Sequence, residues 1–371
     1  MKKVVIIFSG SNDRAVITLC RYAKEVNLAI YIVANGELDP IYKTAYAKHV
    51  SAERKKNVLD ITQVIGFAKS AMHMMRKDEA FILPTTEFLN RFLLENALEL
   101  GEQHIEFGLC PKHIYYSISD KYSFGSLCKN YGLTIPKELN GKPSNFPFVI
   151  KPKSYGVDLH KTHFKPAVIY DEIEYEEFIK GKNIDQFYYQ EYIEGRSYYL
   201  LYYFNQNGDY TVYSQENYIQ QHNGGSMILC ASSNLHHDQI AKRYATFFKE
   251  LDFTGLVMIE LKYFQGQFYI IEANPRFWGP SQLIIDAGMN LFDKFFLENK
   301  LIDAQYISLR HYNEGIFYYW SGGLVDTLQL GNEPVFYQYD QNCFIQDYNR
   351  CLASEIYLKE DTLNIYLKEN T

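Results

Sequence analysis

The sequence predicts a mixed α/β and α+β fold: a small N-terminal domain on a parallel sheet, then a larger two-subdomain region with antiparallel strands. Three observations predict it. The chain opens strand, helix, strand over 4–8, 14–26 and 28–34, the βαβ order of a parallel sheet. Farther on, the apolar runs 256–262 and 268–271 flank Gln265-Gly266-Gln267, which reads as an antiparallel hairpin. Right after the second run, Glu272, Asn274 and Arg276 recur every second residue, the period that puts side chains on one face of a strand.

The N-terminal unit spans 1–115. Its apolar opening stops after five residues at Ser9-Gly10-Ser11-Asn12, too short for a secretory core, and so reads as a buried strand. The loop 9–13 lacks G-x-G-x-x-G, which disfavours a nicotinamide site. A strand at 81–84 leads into a helix to about Leu100, with Thr85 or Thr86 as its N-cap. The chain crosses into the second region around Cys110-Pro111. There 116–195 forms a first subdomain, with a helix ending at Gly132 and an acidic, solvated helix over 171–180. Residues 196–299 form a second subdomain, with a helix at about 236–251 and the hairpin. The tail, 300–371, alternates aromatic and polar residues and reads as a strand-rich appendage.

The chain has 371 residues, enough for several packed units; 47% are hydrophobic and 22% charged, as in soluble enzymes. The net charge is −7 with no basic run, which argues against nucleic acid as a partner. Six scattered cysteines without a CxxC pair argue against zinc and disulfides and fit a reducing cytoplasm. No stretch approaches the roughly 20 apolar residues of a membrane helix.

The chemistry concentrates around the hairpin. A carboxylate (Glu272) beside an amide oxygen (Asn274) is a hard-oxygen pair suited to magnesium, and Arg276 can clamp a phosphoryl group or an oxyanion. Pro275 marks the end of the ladder. If pairing is centred on Gly266, Glu260 lies opposite Glu272 on the same face; this predicts an odd-membered loop, because a two-residue turn would put the acids on opposite faces. Lys151 ends the apolar run 148–150, and Lys153 shares its face.

The run Glu272-Ala273-Asn274-Pro275-Arg276, with Glu260 upstream, resembles the metal-binding strands of the ATP-grasp superfamily. Other stretches carry the resemblance in order from Asp120 to Gly279. Asp120-Lys121 and Val149-Ile150-Lys151 are similar to the phosphate-binding lysines. Ser154-Tyr155-Gly156-Val157-Asp158 is similar to the phosphate loop but keeps a single glycine. The run from Tyr188 to Ser197 is similar to the hinge along adenine, with Gln190, Glu191, Tyr192 and Ile193 against the base; Ser197 stands where an acid commonly binds ribose. Gln221-His222-Asn223-Gly224-Gly225-Ser226 resembles a stretch of the carbamoyl-phosphate-synthetase-like branch, where the histidine approaches the phosphates.

The resemblance implies ATP as the nucleotide and Mg2+, with Mn2+ as an alternative, held by Glu260, Glu272 and Asn274. Lys121, Lys151, Lys153, Gly156 and His222 would serve the phosphates, and Arg276 and Lys151 the chemistry. The implied reaction joins a small-molecule carboxylate to an amine through an acyl phosphate, releasing ADP and phosphate, in a cytoplasmic homodimer. Two alternatives stand beside it: a bicarbonate-phosphorylating enzyme of the biotin-carboxylase or carbamoyl-phosphate type, and a non-catalytic nucleotide-binding protein. Substrate specificity is expected in the loops 9–13, 84–87 and 278–282.

Overall fold

The computed structural model describes residues 2–55, 58–154, 165–307 and 310–371. In the N-terminal unit, β1 (Lys3–Phe8), β2 (Ile30–Ala34), β3 (Val50–Glu53), β4 (Glu79–Ile82) and β5 (Ile105–Glu106) form a parallel sheet in the order β3-β2-β1-β4-β5. α1 (Asp13–Glu25) covers one face, against Val5, Ile7 and Ile32; α2 (Ile61–Met75) and α3 (Glu87–Glu95) cover the other, against Val4, Ile6 and Ile82. Strands buried on both faces explain why these runs are apolar without alternation. Thr86 is the N-cap of α3, accepting from the Leu89 amide at 3.2 Å. The helix expected to reach Leu100 is interrupted at Asn96 and resumes as α4 (Ala97–Glu102).

After α5 (Lys112–Ser119) and α6 (Lys121–Asn130) comes a small antiparallel sheet. It contains β6 (Glu138–Leu139), β7 (Phe148–Pro152), β8 (Ala167–Ile169) and, after α7 (Glu172–Ile179), β9 (Phe187–Glu191), in the order β6-β9-β7-β8. Phe148, Ile150, Phe187 and Tyr189 pack with Tyr175 of α7. Alternation therefore turns Val149, Lys151, Tyr188 and Gln190 to the opposite face.

The large antiparallel sheet is built from β10 (Arg196–Phe204), β11 (Tyr210–Gln220), β12 (Met227–Ser233), β13 (Gly255–Phe264) and β14 (Gln267–Asn274), with α8 (Gln239–Glu250) before β13. Tyr198, Leu200, Tyr202, Val257, Ile259 and Ile270 face α8. The other face divides in two. Leu201, Tyr203, Leu256 and Met258 share a core with α1 and α10 (Leu291–Glu298), which lies just after the short α9 (Gln282–Asp286). Toward the other end, the residues on this face are Ser197, Tyr199, Glu260, Lys262 and Glu272.

The tail is not the strand-rich appendage that its aromatic alternation predicts. It holds three α-helices among the described residues, α11 (Ser321–Gln329), α12 (Gln341–Ala353) and α13 (Leu363–Glu369), and two short strands, β15 (Phe317–Tyr319) and β16 (Val335–Phe336). Both strands extend the large sheet, β15 beside β12 and β16 beside β11. The alternation belongs to edge strands that pair with a sheet already present.

Candidate active site

The hairpin sets the site. β13 and β14 pair Glu260 with Glu272 and Met258 with Asn274, as the expected alignment requires. The expected odd loop is absent. Phe264 pairs with Gln267, so the turn has two residues, Gln265 (φ 47°) and Gly266 (φ 81°), both left-handed as a type I′ turn needs. A β-bulge supplies the odd residue instead. Leu261 pairs with Ile270 and Glu260 with Glu272, so Ile271 has no ladder partner. Without the bulge the two acids would face opposite sides. The Ile271 carbonyl, left out of the ladder, accepts a hydrogen bond from Lys151 Nζ at 3.1 Å. One irregularity thus aligns the acids and anchors the lysine from the facing sheet.

Around the acids the charges are interlocked. Lys121, the first residue of α6, places Nζ 2.6 Å from Glu272 Oε2. Asn274 Nδ2 donates to Glu272 Oε1 at 2.6 Å. β14 ends at Asn274, yet Arg276 folds back, its Nη2 donating to Asn274 Oδ1 at 3.3 Å and its Nη1 to the Phe277 carbonyl at 3.1 Å. Burial favours a neutral Glu272, but Lys121 and Asn274 outweigh it and hold the carboxyl below the usual range. Glu260 moves the other way, raised by burial and by the Glu272 charge. Lys151 is buried and pushed down to about 8, chiefly by desolvation.

A pair of carboxylates, one raised by the other, with an amide beside them is a donor set that a hard divalent cation would relieve. Among the described residues no group of three or more His, Cys, Asp or Glu could hold a metal. Two acids and an amide suit an ion that binds few protein oxygens. The residues present fit magnesium.

The other expected residues are distributed around this centre. Gln190 lies on the cleft face of β9, its Nε2 on the Pro136 carbonyl at 3.4 Å and its buried Oε1 without a partner among the described residues. Glu191 closes the strand, its Oε1 accepting from the Lys137 amide at 2.8 Å. Tyr192 packs edge-on against Tyr170, and Ile193 is buried. Ser197 is fully buried and accepts from Asn217 Nδ2 at 3.0 Å. His222 stacks on Tyr170 and places Nε2 2.8 Å from Glu174 Oε1 of α7, so this nitrogen is engaged with the small sheet's helix. Lys153 is exposed just beyond β7. Gly156 lies outside the described residues.

Sequence reasoning missed Lys262. Two residues from Glu260, it shares the cleft face and is almost wholly buried, yet its Nζ has no hydrogen-bond partner among the described residues. The Tyr337 ring, from the tail, covers it at 3.3 Å. Burial pushes this lysine well below its ordinary range. Two-residue periodicity could have flagged it; the aromatic cover from a distant segment could not have been foreseen.

The three loops expected to carry specificity converge. Asn12 Nδ2 donates to the Thr85 carbonyl at 2.9 Å and to the Phe277 carbonyl at 3.1 Å. The Phe277 amide reaches the Pro84 carbonyl at 3.4 Å. The Phe277 carbonyl is shared between Asn12 and Arg276, which joins these loops to the charged centre.

Lys151 from the small sheet and Lys121 from α6 meet the carboxylates of the large sheet, an arrangement that can hold a phosphate group. Residues 118–280 match the family model of the ATP-grasp domain. Solved structures share the fold over most of the chain. A biotin carboxylase from Campylobacter jejuni, described as a β,γ-ATP complex, is 14% identical with a TM-score of 0.56, over 84% of this chain and 72% of that one. An N5-carboxyaminoimidazole ribonucleotide synthetase from Thermotoga maritima is 17% identical with a TM-score of 0.53, over 85% and 79%. An L-amino acid ligase from Bacillus licheniformis is 15% identical with a TM-score of 0.56, over 86% and 79%. At such identities the likeness is one of fold. No curated protein matches the sequence significantly.

Proposed function

We propose that the protein is an ATP- and magnesium-dependent ligase that joins a carboxylate to an amine, on the carbamoyl-phosphate-synthetase-like branch of the family. The observation that carries this reading is the paired Glu260 and Glu272, aligned by the Ile271 bulge and faced by Lys121 and Lys151. Fold neighbours include an L-amino acid ligase and a biotin carboxylase domain described as bound to bicarbonate.

In this reading Glu260, Glu272 and Asn274 hold Mg2+, which when bound neutralises the phosphates of ATP. Lys121 and Lys151 sit beside those acids and pair with phosphate oxygens once the nucleotide enters. Gln190, Glu191, Tyr192 and Ile193 line the base. The substrate carboxylate attacks the γ-phosphorus, the bond to the β-γ bridging oxygen breaks, and ADP leaves with that electron pair. The amine then attacks the acyl phosphate and phosphate departs. Arg276, beside Asn274 and facing the convergent loops, stabilises the oxyanion. The chain's task is positioning and exclusion of water.

The test is ADP and phosphate release from Mg·ATP with pooled carboxylates and amines. Release that depends on both pools supports the ligase. Release on bicarbonate with biotin and no amine replaces it with a carboxylase, and ATP binding without release in any pool replaces it with a nucleotide-binding protein.

A further inference from the structure

Arg14, in the first turn of α1, is held more tightly than a surface arginine requires. Its Nη1 donates to the Met227 carbonyl at 3.1 Å and to the Tyr318 hydroxyl at 3.4 Å. Its Cζ lies 3.8 Å from the centre of the Trp320 ring, a stacking distance. Trp320 is fixed in turn, Nε1 donating to Glu369 Oε2 at 2.9 Å. On the guanidinium stands Gly279, where an added Cβ would lie 2.9 Å from Nη2, 3.1 Å from Cζ and 3.4 Å from Nη1. Near-equal distances to three atoms of the plane place Gly279 over one face, and Trp320 takes the other. The group is sandwiched and anchored through Nη1.

What remains is the edge formed by Nε and Nη2. Neither has a hydrogen-bond partner, and Arg14 forms no ion pair, among the described residues. Nor are these nitrogens among the fully buried unpartnered atoms, so neither is sealed from solvent. Two parallel N–H donors on a fixed plane form the fork that receives a carboxylate bidentately. The fork lies where the specificity loops meet: Asn12, two residues away, shares the Phe277 carbonyl with Arg276.

We propose that Arg14, sandwiched between Gly279 and Trp320, binds a carboxylate on the acceptor substrate, so that the amine joined by the ligase is that of an amino acid or peptide. This rests on the ligase reading. It also gives the tail a role, since Trp320 and Tyr318 both come from it. Lysine would not serve at this position, because a point charge neither stacks between the two faces nor offers two parallel donors.

The experiment measures product formation with Mg·ATP and a fixed pool of carboxylate donors. The acceptors are the common amino acids, the corresponding amino acid amides, and O-phosphoethanolamine as a phosphate-bearing amine. Wild type is compared with Arg14→Gln and Arg14→Lys, and Mg·ADP binding by calorimetry shows that each variant is folded. The expected result is that amino acids outperform their amides at least tenfold in the wild type. Both variants raise the acceptor KM at least tenfold and lose the preference. Equal use of acids and amides, a preference retained in Arg14→Gln, or no response to any amino acid would overturn the assignment. Preference for O-phosphoethanolamine would overturn the carboxylate in favour of phosphate. Absence of Mg·ADP binding in the wild type would instead sink the ligase reading itself.

Discussion

Lys262 shows most clearly how a side chain can be stable in the wrong sense. A buried ammonium without a hydrogen-bond partner costs the folded state about 1–3 kcal/mol. The π face of Tyr337 offsets part of that. Lys262→Met keeps the length and removes the charge, so it should raise the urea midpoint of the nucleotide-free protein. If the lysine is held there for the nucleotide, the same variant will bind Mg·ATP more weakly; a gain in stability without loss of binding would assign Lys262 to packing alone. Its neighbour Glu260 is raised by burial and by Glu272, while Lys121 holds Glu272 ionised. The two acids occupy equivalent strand positions and differ because one has a lysine at 2.6 Å. Nothing in the local sequence distinguishes them; the lysine arrives from α6, about 150 residues upstream by the numbering.

The hairpin was half legible. Its strands, its turn position and the facing of Glu260 and Glu272 follow from apolar runs, Gly266 and alternation. Alternation about Gly266 predicts the odd residue in the turn, whereas the structure puts it at Ile271. The reason is physical: Gln265-Gly266 adopts the two-residue turn whose twist matches the strands, and a bulge next to the site can absorb the extra residue while freeing a carbonyl for Lys151. Deletion of Ile271 should therefore leave Glu272 opposite Glu260 in a regular ladder but remove the carbonyl that anchors Lys151, so nucleotide turnover should fall with the far-ultraviolet circular dichroism retained. Undiminished turnover after the deletion would show that the bulge carbonyl does not position Lys151 for the site. Gly266→Ala, at a φ of 81°, should cost about 1 kcal/mol in denaturant unfolding and leave the alignment intact.

The parallel opening sheet, the antiparallel sheets and the order of motifs could be read along the chain because each depends on local period. The tail could not, because its strands exist only as additions to a sheet formed by residues far upstream. Its attachment also reaches the N-terminal unit. Asp361 accepts two hydrogen bonds from Arg21, both at 2.8 Å, and one from Tyr46 at 2.7 Å. Burial alone would raise this carboxyl, but Arg21 and Tyr46 hold it at about 2, below the ordinary 3.8. A depressed acid stabilises the fold above its unfolded pKa and loses that contribution as the pH falls through the folded value. Stability should thus drop by about 2 kcal/mol between pH 4 and pH 2 from this group. Asp361→Asn should lower the urea midpoint at pH 7 and flatten the profile in that acid window; an unchanged slope there would show that the tail is not held through Asp361.

The central claim, that the aligned acids serve phosphoryl transfer to a carboxylate, is tested most directly by ADP release from Mg·ATP in wild type and Glu272→Gln. Pooled carboxylates and amines are supplied to both, and Mg·ADP binding is measured on the same samples. The account predicts release that requires a carboxylate and an amine and falls about 100-fold or more in the variant, the loss expected when one preorganised electrostatic group is removed. Equal release by the two proteins, or no nucleotide binding by the wild type, would contradict it.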